Sequence, residues 1–253
     1  MNLDLQKANM WKRISAALFD FITLGILAVG LAFLLSGLLG YDNFNNQVSA
    51  AYAEYEQQYG VSFELTQEEY QELTPEQLQR YEEAYGALIA DEQAMYAYNM
   101  VIHMTLAITA ISILLGYLLT EFTVPLLLGN GQTLGKKIFG ICLMRTDGIQ
   151  IQPALLFIRT ILGKYTVETM IPVFLVMMIF FGTLGLLGTA MLAILLITQI
   201  ALMCVTSTNS LIHDLLAKTV VVDMESQMIF RSSADLIAYQ KRVAAEQAAK
   251  SKY

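Results

Sequence analysis

The chain has 253 residues, 56% of them apolar and 15% charged, with a mean hydropathy of +0.52. A water-soluble domain of this length rarely carries so much apolar content, so the composition points to a membrane protein. The net charge of −7 suggests an acidic protein with basic partners, but of 22 acids and 15 bases, twelve acids and a single base, Arg80, lie within 40–99. The remainder holds ten acids and fourteen bases, and nothing in it forms a nucleic-acid-binding pattern.

The first apolar run, about 14–39, is twice the length of a signal-peptide core and no small-x-small site follows it, so it is expected to stay as a membrane helix. It carries Asp20, seven residues after Arg13. Residues 40–99 form an acidic loop in which Thr74, Pro75 and Gln77 mark a helix start, with Thr74 as N-cap and Gln77 at the third position. Tyr81, Tyr85 and Leu88 share one face of that helix. The open alternatives for this loop are a solvated helical cap, a concentrator of cations, and a docking place for a basic protein partner.

The second span is expected at about 100–126 and ends in Glu121 and Pro125. In the segment 127–165, "GNGQTLGKK" looks like a phosphate loop, but its glycine spacing is wrong and Lys137 stands where Ser or Thr is required, so nucleotide binding is rejected. "GICLMRTDGIQI" alternates around Asp147-Gly148 and predicts a short β-hairpin, to which "AKTVVVD" (217–223) offers a third strand. "PALLFIRTILGK" (153–164) reads as an interfacial helix, followed by spans at about 166–184 and 187–208 that turn at the glycines of 182–188. The stretch from about 224 onward is polar and alanine-rich, expected to be helical or disordered.

The fold class expected is therefore an all-α integral membrane protein with four transmembrane helices, a small cytoplasmic β-hairpin and a helical extracellular insertion. The divisions are 1–39, 40–99, 100–126, 127–165, 166–208 and 209–253. Lysine and arginine flank the spans so that both termini and 127–165 fall inside, with Arg80 alone outside. Cys142 and Cys204 then lie on or near the cytoplasmic side and are expected as free thiols.

An acid inside a span is costly and marks a functional or packing role. On a helix, Arg13 and Asp20 are two turns, about 10.5 Å, apart and cannot meet. Small residues share their face, so Asp20 is expected to look into the bundle. Asp20, Glu121, Glu168 and Asp214 are the candidate ion-binding or proton-relay groups, all in the expected cytoplasmic half, with Arg13, Arg159 and Lys164 as ion-pair partners. Arg159 is expected to pair with Asp20, Arg13 to reach Asp214 or a lipid phosphate, and Glu168 to pair with Lys164 four residues earlier. Two readings stay open: a lattice of ion pairs that fixes packing, or acids that exchange a proton with a cation. With two histidines, no HExxH or paired CxxC spacing and no recognised nucleophile–base pair, neither a metal site, a cofactor nor an enzyme is expected.

Arg13 with Asp20, "GQTLGKKIFGICLMRTDG" (131–148), the arginine of "FIRTILGK" and "HDLLAKTVVV" (213–222) together resemble the RDD family of bacterial membrane proteins. The family is named for one arginine and two aspartates, matching Arg13, Asp20 and Asp214 here, with 40–99 as an insertion. The resemblance implies transport, since RDD proteins are generally suggested to be transporters and some are reported as sodium/proton antiporters. It implies a lipid bilayer, a monovalent cation or proton, and a homo-oligomer as partners, since four spans make a small unit.

Overall fold

The computed structural model describes residues 5–180 and 182–250. Four helices are long and apolar enough to span a bilayer: α1 (Met10–Leu39), α5 (Glu92–Leu128), α7 (Pro153–Phe180) and α8 (Gly185–Val205). Their apolar side chains stay exposed, Phe21, Phe33, Leu38, Leu186 and Val205 each by more than two thirds. Only a hydrocarbon solvent accepts such faces without cost.

Between α1 and α5 lie α2 (Tyr41–Tyr59), α3 (Gln67–Gln71) and α4 (Pro75–Ala90). The helix start expected at Thr74 is present as a full capping box, the hydroxyl accepting from the Gln77 N–H and the Gln77 side chain accepting from the Thr74 N–H. A second box at Thr66 and Glu69 starts α3. Phe63 lies edge-on to Tyr52, Tyr81 and Tyr85. Leu88 is buried, on the face that the Tyr81–Tyr85–Leu88 spacing selected. Contacts divide the chain into a unit of 29–112, which holds these helices, and a unit of 1–28 with 113–253.

In the latter unit, α6 (Leu134–Ile138), β1 (Ile141–Arg145), α9 (Ile212–Ala217), β2 (Thr219–Asp223) and α10 (Ser233–Lys250) complete the elements. The sheet corrects the hairpin expected from 127–165. β1 pairs antiparallel with β2, Leu143 opposite Val221, whereas the arm after Asp147-Gly148 meets β1 in a single bridge, Met144 with Gln150, and bridges Phe230 through Ile149. The return arm is cut short because Pro153 already opens α7, and the β-branched run Val220–Val222 makes the better strand. The ribbon is buried on both faces: Ile141, Leu143 and Val221 pack with Ala8, Ala16 and Leu156, and Cys142, Met144, Val220 and Val222 pack with Leu5 and Ile229.

The third span is also longer than expected. Instead of an interfacial helix followed by a span from 166, one continuous helix begins at Pro153, and its stretch Ile158–Met170 is π-helical. A π turn also occupies Leu118–Thr123 of α5. Such widened turns are rare and concentrate at functional sites. Here they free the Glu121 carbonyl, which accepts a hydrogen bond from Thr160 at 3.0 Å. The turn between α7 and α8 falls where the glycines suggested, Gly182 and Gly185 both adopting positive φ. The C-terminal stretch, left open as helical or disordered, is helical over α10.

A buried lattice of charges as candidate functional site

Asp20 is buried on α1, as its small neighbours suggested, but its partner is not Arg159. One carboxylate oxygen accepts from the Gly135 N–H at 2.8 Å and the other from the Thr133 hydroxyl. Thr133 is itself the N-cap of α6, its hydroxyl oxygen accepting from the Lys136 N–H. The loop that resembled a phosphate cradle is thus occupied by the protein's own carboxylate. Gly135 makes the approach possible, because a Cβ there would collide with the Ala16 carbonyl and with Asp20. An arginine was expected because a buried carboxylate needs donors; a hydroxyl and a backbone N–H, already unpaired at a helix start, supply them without a second buried charge.

Arg159, 2% exposed, serves Asp214 instead, its Nε and Nη2 both donating to Oδ1 at 3.1 and 3.0 Å. Its Nη1 lies 3.9 Å from Glu121 Oε2. Arg13 does reach Asp214, Nη2 to Oδ2 at 3.7 Å, while donating to the carbonyls of Thr208 at 3.2 Å and Asn209 at 2.7 Å. Thr219 donates a further hydrogen bond to Asp214 Oδ1. Burial alone would raise the Asp214 carboxyl; His213, Arg159 and Arg13 beside it reverse this and hold it well below the usual carboxylate range.

The expected Glu168–Lys164 pair does not form. Glu168 binds His213, accepting from its backbone N–H at 3.0 Å and meeting Nδ1 at 2.6 Å, while Lys164 pairs with Glu121. The π-helical turns rotate the spacing of four residues off a common face, which a regular helix would have kept. Gly163 lets α9 in, since a Cβ there would strike the Cα and Cβ of His213. Burial pushes the His213 imidazole below its ordinary value.

Lys136, absent from the expected site, is the fourth cation: 6% exposed, its Nζ lies 3.8 Å from Glu121 Oε2 and 3.3 Å from Thr133 Oγ1. Burial, offset in part by Glu121, lowers its ammonium to about 8. Thr133, Gly135 and Lys136 were discoverable, since a threonine two residues before Gly-Lys-Lys is a helix-start signal. His213 had no such signal. The named candidates therefore divide: Arg13, Arg159, Asp214, Glu121 and Lys164 form one connected lattice, Glu168 joins it through His213, and Asp20 reaches it, among the described residues, through Thr133 and Lys136. A cavity of about 140 Å³ is bordered by Arg13, Asp20, Lys136, Arg159, His213 and Asp214, volume enough for several waters.

Four apolar spans around a buried lattice of matched charges define a polytopic helical membrane protein. The chain belongs to the RDD family, whose model matches residues 7–218. No curated protein and no solved structure matches it.

Proposed function

We propose that the chain is a membrane transporter that exchanges a monovalent cation for protons through this lattice. One observation carries the reading: ionisable side chains border the cavity among apolar ones, and Asp214 Oδ2, buried at its wall, has no hydrogen-bond donor among the described residues. Its nearest cationic atoms, on His213 and Arg13, stand at 3.5 and 3.7 Å, outside hydrogen-bond range. Most buried carboxylate oxygens in a packed lattice are hydrogen-bonded, so an unpaired one beside a space large enough for water calls for a partner. A proton or a cation entering there supplies the missing partner. Asp20, held by the start of α6, becomes available when that short helix moves. Both termini and 127–165 lie in the cytoplasm of a bacterial cell by the distribution of lysine and arginine, and the working form is a homo-oligomer because four spans line little by themselves.

The test uses purified protein in liposomes with a pH-sensitive dye inside. Sodium or potassium gradients drive proton movement, and Asp20→Asn or Asp214→Asn removes it while the protein still elutes as a folded species. Silence from folded wild-type protein across several cations and pH values sinks the exchange reading. The second reading, a packing lattice in an accessory membrane protein, is favoured by one fact: Asp20, Glu121, Glu168 and Asp214 each find a partner on another element.

A further inference from the structure

A second cavity, about 90 Å³, lies wholly within the unit of 29–112, between α2, α4 and the start of α5. Tyr52, Tyr85 and Tyr98 border it, and Leu88, Ile89 and Met95 contribute apolar wall. The three phenols come from three helices and line one cavity, Tyr85 and Tyr98 staying 49% and 39% exposed at its open side; burial and the nearness of Tyr98, Tyr85 and Tyr81 raise the Tyr52 phenol above its ordinary value. None of the three hydroxyls is hydrogen-bonded to another described residue, so the rings are not committed to a polar network. The elements around the cavity carry Glu54, Glu56, Glu82, Glu83, Asp91 and Glu92 against Arg80 alone. No acid of 40–99 is in an ion pair among the described residues.

Aromatic rings present a negative face, and an ammonium that reaches several of them gains a contact with each. The surrounding field, uncompensated by bases, attracts cations and repels anions. Apolar walls reject strongly hydrated inorganic ions, and the volume is below that of sites for drug-sized ligands. We infer that this cavity, walled by three tyrosines within an acidic helical unit, binds a small methylated ammonium head that carries no anionic group. The same field disfavours a phosphocholine head, whose phosphate would face the acids, and so separates a free ammonium from a lipid source.

Isothermal titration of the full-length protein in nanodiscs tests this with choline as probe, alongside its neutral carbon isostere 3,3-dimethyl-1-butanol and phosphocholine. Choline binds about tenfold more tightly than either, a difference on the scale of two or three partly exposed cation–ring contacts, and weakens as salt rises. Tyr52→Leu and Tyr98→Leu each lower choline affinity severalfold, whereas Tyr52→Phe and Tyr98→Phe keep it. Equal binding of the neutral isostere makes the cavity a plain apolar pocket and overturns the inference. So does absence of choline binding by the wild-type protein, or phosphocholine binding as tightly. If the leucine variants do not fold, the three ligands on wild-type protein and the phenylalanine variants still decide it.

Discussion

Thr133 holds more of this molecule together than its size suggests. Its hydroxyl donates to Asp20 and accepts from the Lys136 N–H, tying α1 to the start of α6, and it is 1% exposed. Thr133→Val keeps the shape but leaves both buried partners without this hydroxyl, costing about 1–3 kcal/mol. Thr133→Ser should recover most of it, and thermal unfolding in detergent distinguishes the two. Lys136 gives a pH signature whose sign follows from burial. Its ammonium loses a proton near 8 in the folded protein but near 10.5 in the unfolded chain, so between those values the unfolded state holds more protons and stability rises with pH. The gain, up to about 3 kcal/mol, should appear as a melting temperature that climbs from pH 8 to 10 in wild type relative to Lys136→Gln. A Lys136 Cε resonance that titrates only above pH 10 would refute the assignment.

At the scale of elements, the widened turns of α5 and α7 and two glycines set how closely the pieces approach. Gly163→Ala drives a methyl into the His213 backbone and should push α9, with Asp214 and His213, away from Arg159. A loss of about 1–3 kcal/mol is expected, as for other overpacked sites. Gly30→Ala is the control: a methyl there meets nothing, and the gain in helix propensity makes it neutral or slightly stabilising. Melting temperatures that fall equally in both variants would show that Gly163 has no special part in docking α9. The two-stranded ribbon depends on the same logic of close fit, because its strands are buried on both faces and neither is stable alone.

For the molecule as a whole, the four spans leave the side of the membrane as the main question, and the distribution of basic residues proposes an answer that labelling tests. In a variant with Cys142 and Cys204 replaced by serine, a cysteine at Gln57 should react with an impermeant maleimide added outside intact cells, and one at Lys241 should not. The reverse pattern would invert the topology, because lysine and arginine resist translocation across the bilayer in short loops. Labelling at Gln57 would put the acidic unit, with its own capping boxes and aromatic cluster, at the exterior.

Much of this was legible in the chain itself. Spans, the α7–α8 turn and the capping box at Thr74 follow from local rules: a bilayer demands about 20 apolar residues, positive φ favours glycine, and a helix start needs a side-chain acceptor. The burial of Asp20 was legible too, and the meeting of Arg13 with Asp214 was one of the two partners the sequence offered, a lipid phosphate being the other. The rest belongs to the tertiary structure. Asp20 found a hydroxyl and an N–H where an arginine was expected, Arg159 went to Asp214, and Glu168 went to His213. β1 took β2 rather than its own hairpin arm. Sequence spacing ranks partners along a regular helix, but two π-helical stretches change the face each residue presents, and pairing across 113 residues between Asp20 and Thr133 depends on which surfaces the packed core brings together. Which charges must be buried is a local property of the sequence; which of them meet is decided by packing, because a desolvated charge takes the donor that the fold places within reach.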